Sequence, residues 1–187
     1  MDEIYKIIIQ NNNDNEINLI IKSDETIIYS ESISDFDFTL EKKEKDELKW
    51  YLEDYREFPY GAEQDRAVRS ENIMKEIGGR LFIGIFFNFF NKHSSDLYSD
   101  LFEKGLKNTS IIIESDNPFF LNIPWELIHE TKLVNEYLSP ICYGLFRKGS
   151  GEYGTFDNND VNESLKCYWL FHALKQKMSH SDILQMH

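Results

Sequence analysis

The chain has 187 residues, a formal charge of −13, 41% apolar residues and 14% aromatic residues. That balance excludes an intrinsically disordered chain and suits one domain or a small pair, able to bury about 70% of its unfolded surface. The acidic pI, near 4.8, argues against a binder of nucleic acid or of anionic membrane surfaces, because both need clustered Lys and Arg.

Met1-Asp2-Glu3 lacks the basic start of a signal peptide. The most apolar run, Leu81 to Phe90, is half of the ~20 residues a spanning helix needs. Two cysteines, Cys142 and Cys167, make no disulfide framework. A reducing cytoplasm is the expected compartment.

Ile4 to Ile33 reads as three strands. Ile4–Ile9 is rich in β-branched residues and stops at the polar turn Gln10–Asn15. Ile17, Leu19 and Ile21 share one face of the second strand, and Ile27–Tyr29 forms the third after Ser23-Asp24-Glu25. An antiparallel meander follows, expected to serve as scaffold.

A first helix is expected over about Leu40 to Phe58. Leu48, Tyr51, Leu52 and Tyr55 lie along one face, Thr39 is the expected cap, and Pro59 with Gly61 ends it. A second runs from about Ala62 to Phe87, with Ile73, Ile77, Leu81 and Ile85 recurring every four residues. Its Gly78, Gly79 and Gly84 each cost about 1 kcal/mol against Ala. They imply that packing carries the segment, that another backbone comes close, or that Gly78-Gly79 breaks it in two. The cluster Phe86, Phe87, Phe89 and Phe90 is either core or a partner interface.

A third helix, about Ser95 to Leu106, carries Leu97, Leu101, Phe102 and Leu106 and leads to a buried strand at Ile111–Ile113. Asp116-Asn117-Pro118 is turn chemistry, and Pro124 starts a short segment with Trp125, Leu127 and Ile128 inward. The stretch Ser115 to Glu130 is the expected knot of the fold, with Glu126 satisfying backbone donors nearby. Tyr137 to Phe146 reads as another strand, and Gly149, Gly151 and Gly154 as a linker. The tail is an amphipathic helix opened by the capping box Asp160-x-x-Glu163, with Asn162 as a competing cap. Leu165, Tyr168, Trp169, Phe171, Ala173 and Leu174 are too many for one narrow stripe. Such a helix buries two sides or docks onto something.

No stretch meets the requirements of a catalytic or cofactor site. A nucleophilic thiol needs a base beside it. His129 and Cys142 lie in structural segments, and Cys167 and His172, five apart, point to different faces of the tail helix. Cys167, His172, His180 and His187 lack metal-ligand spacing, and Gly149–Gly154 lacks the Gly-Lys-Ser/Thr ending of a phosphate loop. No cofactor, metal or catalytic residue is therefore expected.

Two stretches carry a family resemblance. Leu48–Pro59, with Trp50, Tyr51, Tyr55 and Pro59, resembles the helix that precedes many CHAT domains, caspase-like peptidase domains found with helical-repeat proteins in bacteria. Leu121–His129, with Pro124, Trp125, Glu126 and Leu127, is similar to the family's leucine-proline-tryptophan-glutamate-leucine signature. The resemblance covers roughly residues 4–148. The family would next supply a parallel sheet bearing a His-Gly loop and a cysteine after small residues. Here no histidine precedes a glycine, and neither cysteine follows small residues.

The expected fold class is α+β: an antiparallel meander (1–38), a region with three helices and two further short strands (39–148), and a linker with a C-terminal amphipathic helix (149–187). These parts are also compatible with one compact domain. The resemblance implies a non-catalytic interaction or scaffolding module. It would dock a helical-repeat or peptidase protein, or a second copy, through Phe86, Phe87, Phe89, Phe90 and Trp169. The alternative is a fragment or subunit of a caspase-like cysteine peptidase whose catalytic half is elsewhere.

Overall fold

A computed structural model describes residues 5–13, 15–55, 63–93 and 96–149. Pro59, Gly61, the glycine-rich linker from residue 150 on, the tail helix with Trp169, and Cys167, His172, His180 and His187 lie outside the described residues.

The fold is α+β. Strands β1 (Tyr5–Asn13), β2 (Glu16–Ser23) and β3 (Thr26–Ile33) form the meander, and β4 (Thr109–Glu114) and β5 (Gly144–Lys148) extend it. The resulting sheet has the order β3-β2-β1-β4-β5. β1 pairs antiparallel with β2 and parallel with β4, and β5 is parallel to β4. The meander and the later strands thus share one sheet, with β1 at its centre. The alternation that marks these strands buries Ile7, Ile9, Ile17, Leu19, Ile21, Ile111 and Ile113 on one face.

Helix α1 (Lys42–Lys49) continues as a wider, π-helical segment from Trp50 to Tyr55. Its cap is Glu41 rather than Thr39: the Glu41 amide donates to the Glu44 carboxylate at 2.8 Å, while the Thr39 hydroxyl turns to Asp37. Glu47 ties α1 to the next helix, accepting from Arg66 Nε at 3.2 Å and from the Ser70 hydroxyl at 2.8 Å.

Helix α2 (Gln64–His93) is a single 30-residue helix, so Gly78-Gly79 does not break it. Met74, Ile77, Leu81, Phe82, Ile85, Phe86 and Phe89 are buried along it at spacings of three and four. Met74 takes the buried position expected of Ile73, which is only half-buried. Phe86 and Phe89 belong to the core, and Phe86 stands edge-on to Phe102 at 5.5 Å. They are therefore removed from the candidate interface. Phe87 is 53% exposed and Phe90 half-buried.

The third helical segment comprises α3 (Leu97–Ser99), a wide π-helical turn (Asp100–Gly105) and a 3-10 turn (Leu106–Asn108). Two single-turn helices, α4 (Pro118–Leu121) and α5 (Leu138–Ile141), follow. The second corrects the expected strand over Tyr137–Phe146. Pro140 has no amide hydrogen to give a sheet, and the turn closes with the Cys142 amide donating to the Leu138 carbonyl at 2.9 Å. Only Gly144–Lys148 pairs as β5.

Gly78 and Gly84 have different reasons to be glycine. A β-carbon on Gly78 would stand 1.8 Å from the Leu127 carbonyl oxygen, whereas one on Gly84 would meet only Phe36 at 3.5 Å. Gly78→Ala is expected to cost about 3 kcal/mol, because backbone rather than a side chain must move. Gly84→Ala is expected to gain about 1 kcal/mol of helix propensity, raising Tm by roughly 2–4 °C. Thermal unfolding of the two variants beside the parent checks both signs.

Candidate functional site

The segment after β4 is organised by local hydrogen bonds. Asn117 caps α4 by accepting the Phe119 amide at 2.9 Å, and Pro118 occupies the first helical turn. Pro124 then opens a 3-10 turn, Trp125–Leu127. Within it Trp125, Leu127 and Ile128 are fully buried, as their inward placement predicts. Trp125 donates its indole N–H to the Phe120 carbonyl at 2.9 Å and stacks on Phe36 at 6.3 Å. Trp125 and Ile128 join the main core, while Leu127 joins a second cluster with Met74 and Ile77. One turn therefore pins two apolar clusters. Tyr51 packs on the second cluster and donates to Glu71 at 2.7 Å. Trp50 and Tyr55 lie beside it, with the Arg66 guanidinium 3.9 Å above the Trp50 ring.

Among the described residues Glu126 serves a guanidinium rather than backbone donors. It is buried against Arg147 of β5, which grips both carboxylate oxygens, the Nη2–Oε2 contact measuring 2.8 Å. Arg147 also donates from Nε to the Leu121 carbonyl at 2.8 Å. The fork geometry of arginine suits such a two-oxygen grip.

The carboxylate that collects backbone donors is Glu130, which sequence reasoning missed. It is fully buried and accepts the Lys132, Leu133, Val134 and Asn135 amides at 2.6 to 3.2 Å, besides the Tyr98 hydroxyl at 2.6 Å. Asn135 closes the loop with a φ of 52°, a left-handed value that asparagine tolerates. Burial alone would raise the Glu130 pKa. The Tyr98 hydroxyl and the loop amides outweigh it and hold the carboxyl below the usual carboxylate range. Burial and the Glu130 charge in turn push the Tyr98 phenol up. The one sequence signal was a glutamate directly before a polar loop.

His129 is buried edge-on against Tyr137 at 4.8 Å, and its amide donates to the Gly78 carbonyl at 3.2 Å. Among the described residues its Nδ1 has no hydrogen-bond partner. Burial, then the positive charge of Lys75, holds the imidazole below its ordinary value, so it is neutral. The Cys142 thiol donates to the Ser139 carbonyl, and burial pushes its pKa up to about 11. The structure forms no His129–Cys142 pair, and neither group is primed for nucleophilic work.

The carboxyl ends of parallel strands are where open α/β sheets bind ligands. At the ends of β1, β4 and β5 lies a crevice of about 260 Å³ lined by Gln10, Asn11, Glu114, Ser115, Asp116, Lys148 and Gly149. Within it Lys148 pairs with Glu114 at 3.0 Å. The Ser115 hydroxyl donates to Asn11 and accepts from the Asn117 amide, both at 2.9 Å. Its proton is committed to an amide oxygen rather than to a base, so the floor offers hydrogen bonding but no activated nucleophile. Cys142 precedes β5 and so lies at the other end of that strand. Among the described residues no cluster of three or more His, Cys, Asp and Glu side chains could hold a metal ion, and no helix is long and apolar enough to cross a membrane.

In comparison with known proteins, no family model matches the chain, and no curated protein or solved structure matches it.

The two buried groups set an acid limit. Glu130 titrates below its unfolded value, so its contribution is complete above about pH 4.5 and is lost as pH falls through the folded pKa. Neutral His129, held below 6.5, also favours unfolding as pH drops under that value. Glu130→Gln is expected to cost about 3 kcal/mol at neutral pH. The gap to the parent should narrow below pH 4.5, as urea unfolding across pH 3–8 would show.

Proposed function

We propose that this chain is a non-catalytic protein-interaction or scaffolding module related to the leading region of CHAT proteins. The kinship reading is supported by the order of elements: the meander, the Trp50–Tyr55 segment, the long helix, β4, the Pro124–Leu127 turn and β5. The observation that carries the interaction reading is the β5 edge. β5 ends the sheet and among the described residues pairs with β4 alone. Beside it Tyr143 is 75% exposed. A strand open on one side offers backbone donors and acceptors to a strand from another chain. The partner is a helical-repeat or peptidase protein, or a second copy. The same edge would also seat the catalytic half of a caspase-like peptidase carried on a separate chain, which is the second reading.

Gel filtration with light scattering, on the chain alone and mixed with proteins encoded beside it, checks the proposal. Association weakened at least about tenfold by Tyr143→Lys is the expected result, since edge charges block strand addition. Loss on Phe87→Lys instead would move the docking surface to α2. A strictly monomeric chain that retains none of these proteins would overturn the interaction reading. Peptidase activity in a recovered complex would favour the second reading.

A further inference from the structure

Only one face of the sheet is covered by the described helices. From β1 to β4 to β5 the chain steps in a single direction. Right-handed crossovers then lay α2 and the Pro118–Ile141 segment on the same face. The opposite face carries Ile20, Ile8, Ile112 and Phe146, which the strand register sets side by side on β2, β1, β4 and β5. The three isoleucines are half-buried and Phe146 is 48% exposed. Two residues away in either direction the same face turns polar, with Lys6 beside Ser110 on one side and Gln10 beside Glu114 on the other. The result is one apolar row, about 14 Å across four strands, with polar borders. Sheets built wholly of parallel strands are covered on both faces, and β1, β4 and β5 form the parallel part of this mixed sheet.

We propose that the segment after Gly149 folds back over this face and lays its Leu165–Leu174 stretch along the Ile20–Ile8–Ile112–Phe146 row. The segment leaves directly from β5, the strand whose Phe146 ends the row. Twelve residues separate Gly149 from Asn162, and extended they reach up to ~40 Å. A helix of about 15 residues is roughly 22 Å long and so covers the row from end to end. Leu165, Tyr168 and Trp169 supply the broad apolar side that a flat sheet face accepts. The tether at Gly149 gives this segment an effective concentration in the millimolar range, which favours it over a second copy. This inference is independent of the CHAT kinship and of any partner at the β5 edge.

The test uses the full chain, with Phe146→Asp on the sheet, Trp169→Asp on the segment, and the double variant. Tryptic cleavage at Lys166, Lys175 and Lys177 is expected to be slow in the parent and about tenfold faster in each single variant. The double variant should be no faster than either single one, because both remove the same contact. These rates should not change with protein concentration. Cleavage that is already fast in the parent, or effects of the two substitutions that simply multiply, would overturn the proposal. Protection that appears only at high concentration would assign the row to a second copy and overturn it equally. Far-ultraviolet circular dichroism of Phe146→Asp confirms that the sheet itself has survived.

Discussion

The structure depends on the place where the Leu127 carbonyl rests against the backbone of helix α2 at Gly78. The contact leaves no room for a β-carbon, and the next residue but one, His129, donates its amide to the Gly78 carbonyl. Helix and turn therefore meet backbone to backbone, closer than side chains would permit. That approach drives Trp125 into one apolar cluster and Leu127 into the other. The helix, the sheet and the Trp50–Tyr55 segment are consequently held in one arrangement by three consecutive residues. A glycine in mid-helix is unfavourable by itself; here its cost is offset by the packing that its missing side chain allows.

Two buried carboxylates frame this turn and are compensated in different ways. Glu126 faces a guanidinium, so its charge is neutralised by a partner from β5, 21 residues along the chain. Among the described residues Glu130 has no cation partner; backbone amides of one loop and a phenol surround it. Both arrangements make desolvation tolerable, but they constrain different things. The first fixes the end of β5 against the turn. The second folds residues 131–136 around a carboxylate and anchors them to α3 through Tyr98.

Much of the architecture was legible because period and breaker residues agree locally. The β-branched alternation of Ile4–Ile33 and the i, i+3, i+4 spacing of α2 named their own elements, and Pro124 marked the turn. What was not legible depended on partners distant in sequence. Burial of Phe86 and Phe89 but not Phe87 follows from the phase of α2 against Phe102 and Tyr98. In a run of phenylalanines, composition alone does not set that phase. The same limit hid the roles of Glu126 and Glu130. A glutamate in an apolar stretch announces that a partner exists, yet Arg147 and Tyr98 lie 21 and 32 residues away. The helical turn at Leu138–Ile141 was misread as strand because four apolar or small residues have no period to distinguish the two.

The disposition of the parallel strands bears on what this fold can bind. Their carboxyl ends form a polar crevice in which Ser115 is bonded to Asn11 and to the Asn117 amide, and Lys148 is paired with Glu114. A ligand entering there would have to replace those bonds rather than answer unmet ones, so little net affinity would be gained. Among the described residues, the β5 edge lacks a second strand and the outer face of the sheet lacks a covering helix. Main-chain hydrogen bonds remain to be made at the first, and apolar area remains to be buried at the second. Both requirements are met by polypeptide, the first by an extended strand and the second by an amphipathic helix. Arg147, locked to Glu126, holds β5 in the position where that edge and that face meet.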